Sequence, residues 1–488
     1  MDKPCHCIMN RRRFLQASGG ILACWSLLPL SESLLYAAPP PTPSLGGRGM
    51  MSRTPIFPKS KAKVGLVFCH VPTGNPTWPT KDYDYDGRAK ELTSELTPLC
   101  PQVDFIVRDA HNAGEADAII KELPDVDGFL VYAIGLWTQV PNTIMRCGKP
   151  VVLVDDLYAG SGEVLIQGGI AHREKLPVAV VSSSEMQDVA DAANLFAVMR
   201  SMKESRILDV VDYDIAAPSA KVKENLGPTV IRMGSEEMAS YYSKADEKEA
   251  AQWADSWIAG AKKVVEPSRD ELIKSGRMYL ALSQAAAEKR ADAVSMDCLG
   301  MFYSGRVTAY PCLSHFQFNN DGGTGVCEGD LNSTCTQLMM RYMTGRPGYV
   351  SDPVIDTSKD EIIYAHCVCT SKVFGPKGKS NPYIIRSHAE DRKGASVQSL
   401  APLSEPVTTL EIDVWGKNMV IHSAKTTRNI DEPKACRTKL AAKTNSQAIL
   451  DNWGTGWHRV TVYGDYRKQA MNLARLYGMT VFEEDKSA

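Results

Sequence analysis

The sequence predicts an α/β fold of two parallel-sheet domains followed by a C-terminal, antiparallel β-barrel-like domain. Three changes of pattern support this prediction. Short apolar strands alternate with helices over residues 60–215, helices dominate 216–345, and strands separated by glycine and proline dominate 346–488. Buried strands that alternate with helices are typical of parallel sheets covered on both faces. A chain of 488 residues also exceeds what a single hydrophobic core usually holds.

The first predicted domain, residues 60–215, consists of short β-branched runs with helical segments between them. The predicted strands are Val64–Cys69, Val103–Arg108, Gly128–Ala133, Val151–Asp155 and Pro177–Ser182. The predicted helices are 81–99, Ala113–Leu123 and one around 138–146. No Gly-x-Gly-x-x-Gly follows the first strand, so the sequence gives no support for nucleotide binding.

The second predicted domain, residues 216–345, is more helical and carries the first candidate metal carboxylate. Its predicted elements are the helices Glu247–Ala261, Ser268–Ala291 and Leu331–Met343 and the strand Ala293–Cys298. Asp330 or Asn332 suits the N-cap of the last helix. Glu328 is therefore expected in a loop just before a helix N-terminus.

The third predicted domain, residues 346–488, is rich in strands and ends in a helix. The strand-like segments are Ile362–Cys369, Tyr383–Arg386, Val407–Asp413, Met419–His422 and Arg459–Tyr463, and the closing helix is Tyr466–Tyr477. Short strands with turn residues between them indicate a small antiparallel barrel or sandwich.

The composition excludes several classes of partner. Hydrophobic residues make up 44% of the chain and charged residues 23%, which is typical of an ordered globular protein. The formal net charge of −2 leaves no basic surplus for nucleic acid or an anionic membrane. No stretch after residue 40 approaches the roughly 18 apolar residues of a membrane span. The sequence therefore predicts no nucleic-acid partner and no membrane span after residue 40.

Residues 1–45 are predicted to be a twin-arginine signal peptide and linker. Asn10–Gln16 contains three arginines followed by Phe-Leu, an apolar run covers residues 19–30, and a proline-rich stretch follows Ala37. We expect export to the periplasm, although an ordinary hydrophobic helix with a basic start has the same pattern. Cys24 could be lipidated, but Leu22 fits a lipoprotein cleavage site poorly.

The cysteines do not form a recognised motif. The chain has thirteen, and the ten beyond the leader include no Cys-x-x-Cys pair. A zinc ribbon or a thioredoxin-like motif is therefore disfavoured. Buried free thiols are expected, and disulfides are an alternative after export.

Glu328, Asp352 and His458 are the candidate metal ligands. Glu328 follows a glycine-rich approach, Asp352 precedes Pro353, and His458 follows Gly456-Trp457. Glycine lets the backbone approach a ligand closely. Two carboxylates and an imidazole suit a hard or borderline dication such as Mn²⁺ or Mg²⁺. Taken singly, a surface carboxylate, an Asp-Pro turn and a packed histidine are the alternatives.

Other residues are weaker candidates. His366 could be a fourth ligand or a substrate contact, or could simply pack in a strand. His315 has the same ambiguity. Asp297 follows a predicted strand, where α/β sheets often place functional side chains, but a helix cap also explains it. Trp453 and Trp457 could stack on a sugar or pack in the core.

The segments around these residues resemble the L-fucose isomerase and L-arabinose isomerase family. The resemblance rests on Cys327-Glu-Gly-Asp330 with its following helix, on Asp352, and on Gly456-Trp-His-Arg-Val-Thr-Val-Tyr-Gly-Asp-Tyr466. It covers roughly 293–482 and is weak over 60–215. His366 is similar to the extra histidine of the arabinose branch, although the spacing differs.

The resemblance implies a metal-dependent aldose–ketose isomerase that acts on a pentose or deoxyhexose through an enediol. Glu328, Asp352 and His458 would bind the metal, expected to be Mn²⁺ with Mg²⁺ or Co²⁺ as alternatives, and one of the two carboxylates would carry the proton. From the residues themselves, the candidate sugar contacts are His366, Trp457 and Asp297. The family also implies a homo-oligomer. The alternatives are an exported sugar-binding protein of the same fold and an enediolate-type epimerase or lyase, because familiar members are cytoplasmic.

Overall fold

The computed structural model describes residues 51–487, apart from residue 73 and residues 75–77. The predicted leader and linker, residues 1–45, lie outside the described residues. No helix in the described part of the chain combines the length and the apolar content that a membrane crossing requires.

The first sheet is parallel throughout, with strand order β2-β1-β3-β4-β5. Its strands are β1 (Ala62–Cys69), β2 (Val103–Ala110), β3 (Gly128–Ala133), β4 (Val151–Asp155) and β5 (Val178–Ser182). The helices along this segment are α1 (Tyr85–Leu96), α2 (Ala113–Glu122), α3 (Val140–Ile144), α4 (Ser161–Arg173) and α5 (Met186–Lys203), with a 3₁₀ turn at Thr97–Leu99. β3 and β4 are buried along their whole length, which explains their unbroken apolar sequences.

The second sheet is also parallel and has the order β10-β9-β6-β7. Its strands are β6 (Arg206–Val210), β7 (Thr229–Met233), β9 (Ala293–Met296) and β10 (Gly325–Cys327), while the intervening β8 (Lys263–Val264) pairs in a separate small sheet. The helices are α6 (Ala216–Asn225), α7 (Ser235–Lys244), α8 (Glu247–Gly260), α9 (Arg269–Glu288), α10 (Cys298–Tyr303), α11 (Cys312–Asn320) and α12 (Leu331–Thr344). β10 is one of the two edge strands of this sheet, and the loop that follows it carries Glu328.

The C-terminal region forms a closed antiparallel barrel of six strands. The ring runs β15-β18-β11-β12-β17-β16 and closes through the pairing of β16 with β15. The strands are β11 (Tyr349–Asp356), β12 (Glu361–His366), β15 (Pro406–Asp413), β16 (Asn418–Asn429), β17 (Thr438–Lys443) and β18 (Arg459–Tyr463). The predicted fold class, parallel α/β sheets followed by an antiparallel barrel, is confirmed.

Short elements complete the fold around the barrel. They are β13 (Tyr383–Arg386), β14 (Ser396–Ser399), β19 (Thr480–Glu483), α13 (Ser446–Asp451), α14 (Arg467–Leu476) and a 3₁₀ turn at Thr357–Lys359. β13 pairs with β14 and with β8, and β19 extends the barrel by pairing in parallel with β16. Beside β19, Glu484 forms a fully buried ion pair with Arg459 of β18.

Two predicted strands end earlier than expected. β9 stops at Met296 because the carboxylate of Asp297 accepts a hydrogen bond from the backbone of Gly300 and caps α10. β12 stops at His366, where the chain leaves the sheet. The second sheet also includes β6 (Arg206–Val210), which was expected to belong to the first domain because the predicted border lies at residue 215. The domain borders stay predictions.

Gly325 sets how closely β10 approaches α11. A Cβ atom on this residue would lie 2.7 Å from the Cα of His315, too close without a movement of the backbone. We predict that Gly325→Ala lowers the free energy of unfolding by about 1–3 kcal/mol, as overpacked cores do.

The matched control is Gly169→Ala in α4, where the nearest atom is the flexible end of Arg173 at 3.4 Å. Alanine is the better helix former by up to about 1 kcal/mol, so this variant should gain stability. Urea unfolding of both variants is the measurement. Equal effects in the two variants would contradict the close approach of β10 and α11.

Candidate functional site

Four side chains from distant parts of the sequence converge at the junction of β10 and the barrel. They are Glu328, Asp352, His366 and His458, and one potential ligand atom from each lies within 4.8 Å of those of the others. We call this group the carboxylate–histidine nest. Nε2 of His458 lies 3.1 Å from Asp352 Oδ1 and 3.3 Å from Glu328 Oε2. Nε2 of His366 lies 3.7 Å from Glu328 Oε1.

Glu328 reaches the nest through a turn of unusual backbone geometry. Its φ angle is +70° and that of Gly329 is +65°, so both residues adopt the left-handed conformation. A non-glycine residue pays of order 1–3 kcal/mol for this conformation, which is found preferentially at functional sites. A Cβ atom on Gly329 would also come within 2.8 Å of the Tyr213 hydroxyl. The turn therefore requires glycine after Glu328.

The other three nest residues come from neighbouring strands of the barrel. Asp352 lies in β11, opposite Ala365 in β12, and His366 is the next residue along β12. β11 also pairs with β18, where Ser351 is opposite Arg459, and His458 immediately precedes Arg459. Antiparallel pairing of β12, β11 and β18 therefore brings these three side chains together.

Asp330 holds His458 in position. One of its oxygens, Oδ1, accepts hydrogen bonds from the backbone of Asn332 and Ser333 and caps α12. The other, Oδ2, lies 2.7 Å from Nδ1 of His458. The helix cap was expected from the sequence, but the contact with His458 was not, because a cap alone accounted for an aspartate at this position. An acidic residue that fixes one imidazole nitrogen leaves the other to face the nest.

Several polar atoms of the nest are buried without a hydrogen bond of acceptable geometry. They are Oδ1 of Asp352, Nε2 of His366 and Nε2 of His458. Buried polar atoms normally have partners, so unpaired atoms that face one another indicate a missing group. The side chain of Glu328 is the most accessible of the four, at 28% exposed, while that of His366 is fully buried. The nest is therefore open to solvent on the Glu328 side.

The charges of the nest shift its pKa values. Burial alone would lower the pKa of His458, but Asp330, Asp352 and Glu328 outweigh burial and raise the pKa to about 12. Burial alone would raise the pKa of Asp352, but the imidazoles of His366 and His458 hold this pKa below its ordinary value. In the absence of a cation, a proton on His458 therefore balances the carboxylates.

The remaining predicted residues lie in different surroundings. Trp457 is 62% exposed, and its ring stacks beside that of His458 with centroids 6.1 Å apart. Asp297 caps α10 and makes no described contact with the nest ligands. Trp453 packs against the guanidinium of Arg459. His315 is buried in α11.

Part of the chain is related to known sugar isomerases. The curated relatives include sulfoquinovose isomerases of Priestia aryabhattai and Priestia megaterium, each 26% identical to this chain over 183 residues. The match covers 36% of this chain and 40% of the length of each relative. The predicted relationship to sugar isomerases is supported at this general level. The finer assignment to the L-fucose and L-arabinose isomerase family stays a prediction.

Solved structures and family models add no further assignment. A periplasmic solute-binding protein from Actinobacillus succinogenes, solved with bound D-allose, is 11% identical to this chain with a TM-score of 0.16. The match covers 51% of this chain and 83% of the solute-binding protein. The transcription regulator CcpA of Lactococcus lactis is 15% identical to this chain with a TM-score of 0.15, and the match covers 58% of this chain and 91% of CcpA. Similarity this low identifies neither fold nor function. No family model matches the chain.

We predict that His458 stays protonated at neutral pH in the metal-free protein. Because folding raises its pKa to about 12, the charged imidazole stabilises the fold fully below the ordinary histidine pKa of roughly 6.5. That contribution is lost as the pH rises towards the folded-state value. Asp330→Asn removes one carboxylate and should lower the pKa of His458.

The measurement is a pH titration of ¹⁵N-histidine-labelled, metal-free protein by NMR, which reports the protonation of each ring nitrogen. Lys359→Gln, which removes a surface partner of Asp356, is the control that should leave the His458 signal unchanged. A neutral His458 imidazole at neutral pH in the unsubstituted protein would contradict the prediction.

Proposed function

We propose that this protein is a metal-dependent aldose–ketose isomerase that interconverts the two forms of a sugar through an enediol. The observation that carries the proposal is the convergence of Glu328, Asp352, His366 and His458 into one nest. The partial similarity to sulfoquinovose isomerases supports a sugar isomerase in general. The match spans less than half of those relatives, so the activity of the whole chain rests on the nest.

The nest residues fit a divalent cation. Two carboxylates and two imidazoles can offer four donor atoms, and the unpaired oxygen and nitrogens of Asp352, His366 and His458 would gain a partner. Oxygen donors suit Mg²⁺ and Mn²⁺, while imidazoles favour transition metals. We therefore infer Mn²⁺, with Co²⁺ or Mg²⁺ as substitutes. Glu328, Asp352 and His458 would hold the ion, and His366 would be the fourth donor.

The cation would supply Lewis-acid polarisation of the carbonyl and of the neighbouring hydroxyl oxygen of an open-chain sugar. The residues of the chain perform the rest. Asp330 fixes Nδ1 of His458, so that Nε2 faces the nest. Trp457 offers an exposed aromatic surface beside His458, suited to the apolar face of a sugar.

Glu328 is the stronger candidate for the proton carrier. Its side chain is the most accessible of the nest, so a substrate can reach it. The side chain of Asp352 is only 13% exposed, so a substrate reaches it less easily. In the proposed step, the Glu328 carboxylate takes the proton from C2 and returns it to C1 while a hydroxyl proton moves from O2 to O1. General-base catalysis of this kind contributes roughly 10²–10⁴-fold.

The substrate we propose is a pentose or deoxyhexose in its open-chain form. The relatives are named for sulfoquinovose, so this sugar belongs among the compounds to test. Export by the twin-arginine route, which rests on residues outside the described part of the chain, is part of the same proposal. So is assembly into a homo-oligomer, and size-exclusion chromatography with light scattering would measure it.

We predict that Asp352→Asn lowers kcat/KM for aldose-to-ketose conversion by at least about 10²-fold, because it removes a charged oxygen from the nest. The assay incubates the Mn²⁺-loaded protein with a panel of pentoses, deoxyhexoses and sulfoquinovose and detects ketose. The matched control is Asp356→Asn in the same strand, whose carboxylate contacts the exposed Lys359. An Asp352→Asn variant as active as this control would rule out the assignment of Asp352.

Chelation gives an independent prediction. Dialysis against EDTA should abolish ketose formation, and Mn²⁺ should restore it, because four potential donors converge on one point. Metal content is measured on the same samples by mass spectrometry. Full turnover by protein whose metal content is far below its own concentration would contradict a metal-dependent mechanism. Bound metal with no ketose from any sugar would favour an epimerase or lyase.

A further inference from the structure

One buried guanidinium contacts the segment that brings His458 to the carboxylate–histidine nest. The segment, residues 452–458, joins α13 to β18, and we call it the ligand loop. Arg459 follows it as the first residue of β18 and has no exposed surface. Arginine is almost never buried completely unless it is paired. The partners of this side chain therefore indicate what it holds in place.

The guanidinium of Arg459 contacts the ligand loop at three points. Nη1 donates hydrogen bonds to the carbonyl oxygens of His458, at 2.7 Å, and of Thr455, at 2.9 Å. The ring of Trp453 lies against the guanidinium, with its centroid 3.8 Å from Cζ. The indole nitrogen of Trp453 donates in turn to the carbonyl of Gly456, 3.0 Å away. The backbone of the loop, up to the carbonyl of His458, is therefore folded around one side chain.

Glu484, the residue after β19, fixes the orientation of that guanidinium. Its Oε1 accepts from Nη2 of Arg459 at 2.5 Å, and its Oε2 accepts from Nε at 3.2 Å. Oε2 also lies 3.0 Å from Nδ1 of His422 in β16, whose Nε2 lies 2.9 Å from the hydroxyl of Tyr364 in β12. A carboxylate that binds two guanidinium nitrogens sets the plane of the group. Glu484 thereby directs Nη1 towards the ligand loop.

Stability alone does not account for an ion pair at this position. Neither charge could be buried without the other, since an unpaired buried charge is strongly destabilising. Replacement of a whole buried pair by uncharged side chains, however, is often neutral for stability. Apolar side chains cannot donate hydrogen bonds to the carbonyl oxygens of Thr455 and His458. The role that requires arginine here is therefore the hold on the ligand loop.

We propose that Arg459 and Glu484 are positioning residues, which hold the ligand loop so that His458 reaches the metal site. The inference rests on the proposed function and adds to it two residues that touch neither the metal nor the sugar. Asp330 holds Nδ1 of the imidazole, whereas Arg459 holds the carbonyl of the same histidine. The ring and the backbone of His458 are thus fixed by separate groups. Through Glu484, the segment after β19 also becomes part of the support of the site.

The test compares the native ion pair with an uncharged one. In the double variant Arg459→Met/Glu484→Gln the charges of this pair are gone, and the new amide can still accept a hydrogen bond from His422. A role in stability is therefore largely retained, while the donor to the ligand loop is lost. Arg459→Lys is the second variant, since it keeps the charge beside Glu484 but not the planar fork of donors. Urea unfolding of each variant shows that it is folded under the conditions of the measurements.

The matched control is Asp485→Asn, a change in the residue next to Glu484. The carboxylate of Asp485 is paired with Arg467 in α14, 2.7 Å away. The control therefore removes an ion pair from the same segment while the partners of the ligand loop stay in place. Any effect of simply weakening the attachment of this segment would appear in the control as well.

The first measurement uses metal-free, ¹⁵N-histidine-labelled protein and needs no substrate. It follows the exchange with water of the proton on Nδ1 of His458, which lies 2.7 Å from Oδ2 of Asp330. We expect exchange to be roughly tenfold faster in the double variant, because a displaced loop weakens this hydrogen bond to a charged group. Arg459→Lys should show a smaller increase, and Asp485→Asn should show none.

The second measurement is the affinity for Mn²⁺, read without substrate from the electron paramagnetic resonance signal of the free ion. The dissociation constant should rise by about 10–100-fold in the double variant, as it does when groups that orient a metal ligand are lost. It should be unchanged in Asp485→Asn. If the unsubstituted protein binds no Mn²⁺, the proposed function fails, whereas the exchange of the His458 proton still tests the positioning role.

Two results would overturn the proposal. The first is a folded double variant in which the exchange rate, or the affinity for Mn²⁺ where the unsubstituted protein binds it, stays unchanged. The second is an equal change in the double variant and in Asp485→Asn, which would show a general loosening of the segment after β19. If the double variant does not fold, a folded Arg459→Lys protein with an unchanged exchange rate has the same consequence as the first result.

Discussion

The short contact between Nδ1 of His458 and Oδ2 of Asp330 joins the two halves of the site. Asp330 belongs to the turn after the second sheet, whereas His458 leads into a barrel strand. Ser333 extends the connection, since its hydroxyl lies within hydrogen-bonding distance of both Asp330 and the buried Glu411 of β15. Asp330 thus caps a helix, orients an imidazole and ties the helix to the barrel. The positions of Glu328 and Asp352 relative to each other depend on this joint.

The fold was predictable where a strand shows in its own sequence as an apolar run. It was not predictable where a strand is defined by pairing with distant parts of the chain, as in the closure of the barrel. β3 and β4 are continuous apolar runs, and their positions were predicted to the residue. β14, by contrast, is Ser396-Val-Gln-Ser399, and its buried polar groups are satisfied by distant partners such as Thr438. No local rule assigns a strand to such a sequence. β17 was also missed, and without it the barrel could not have been distinguished from a sandwich.

The site was predictable only in part, because each ligand alone has an ordinary alternative. Glu328 was favoured by its glycine-rich context, Asp352 and His458 were favoured through a family resemblance, and the structure brings the three side chains together. Asp330 was interpreted as a cap, because sequence shows the helix start but not the imidazole that approaches from the barrel.

The closed ring of barrel strands has a consequence for the dynamics of the site. A strand at an open edge can detach alone, but β11, β12 and β18 each have a neighbour on both sides. Amide hydrogens in the parts of these strands that are paired on both sides exchange with solvent only when the ring opens, and such openings approach the cost of global unfolding. Asp352, His366 and His458 are therefore held on a rigid frame.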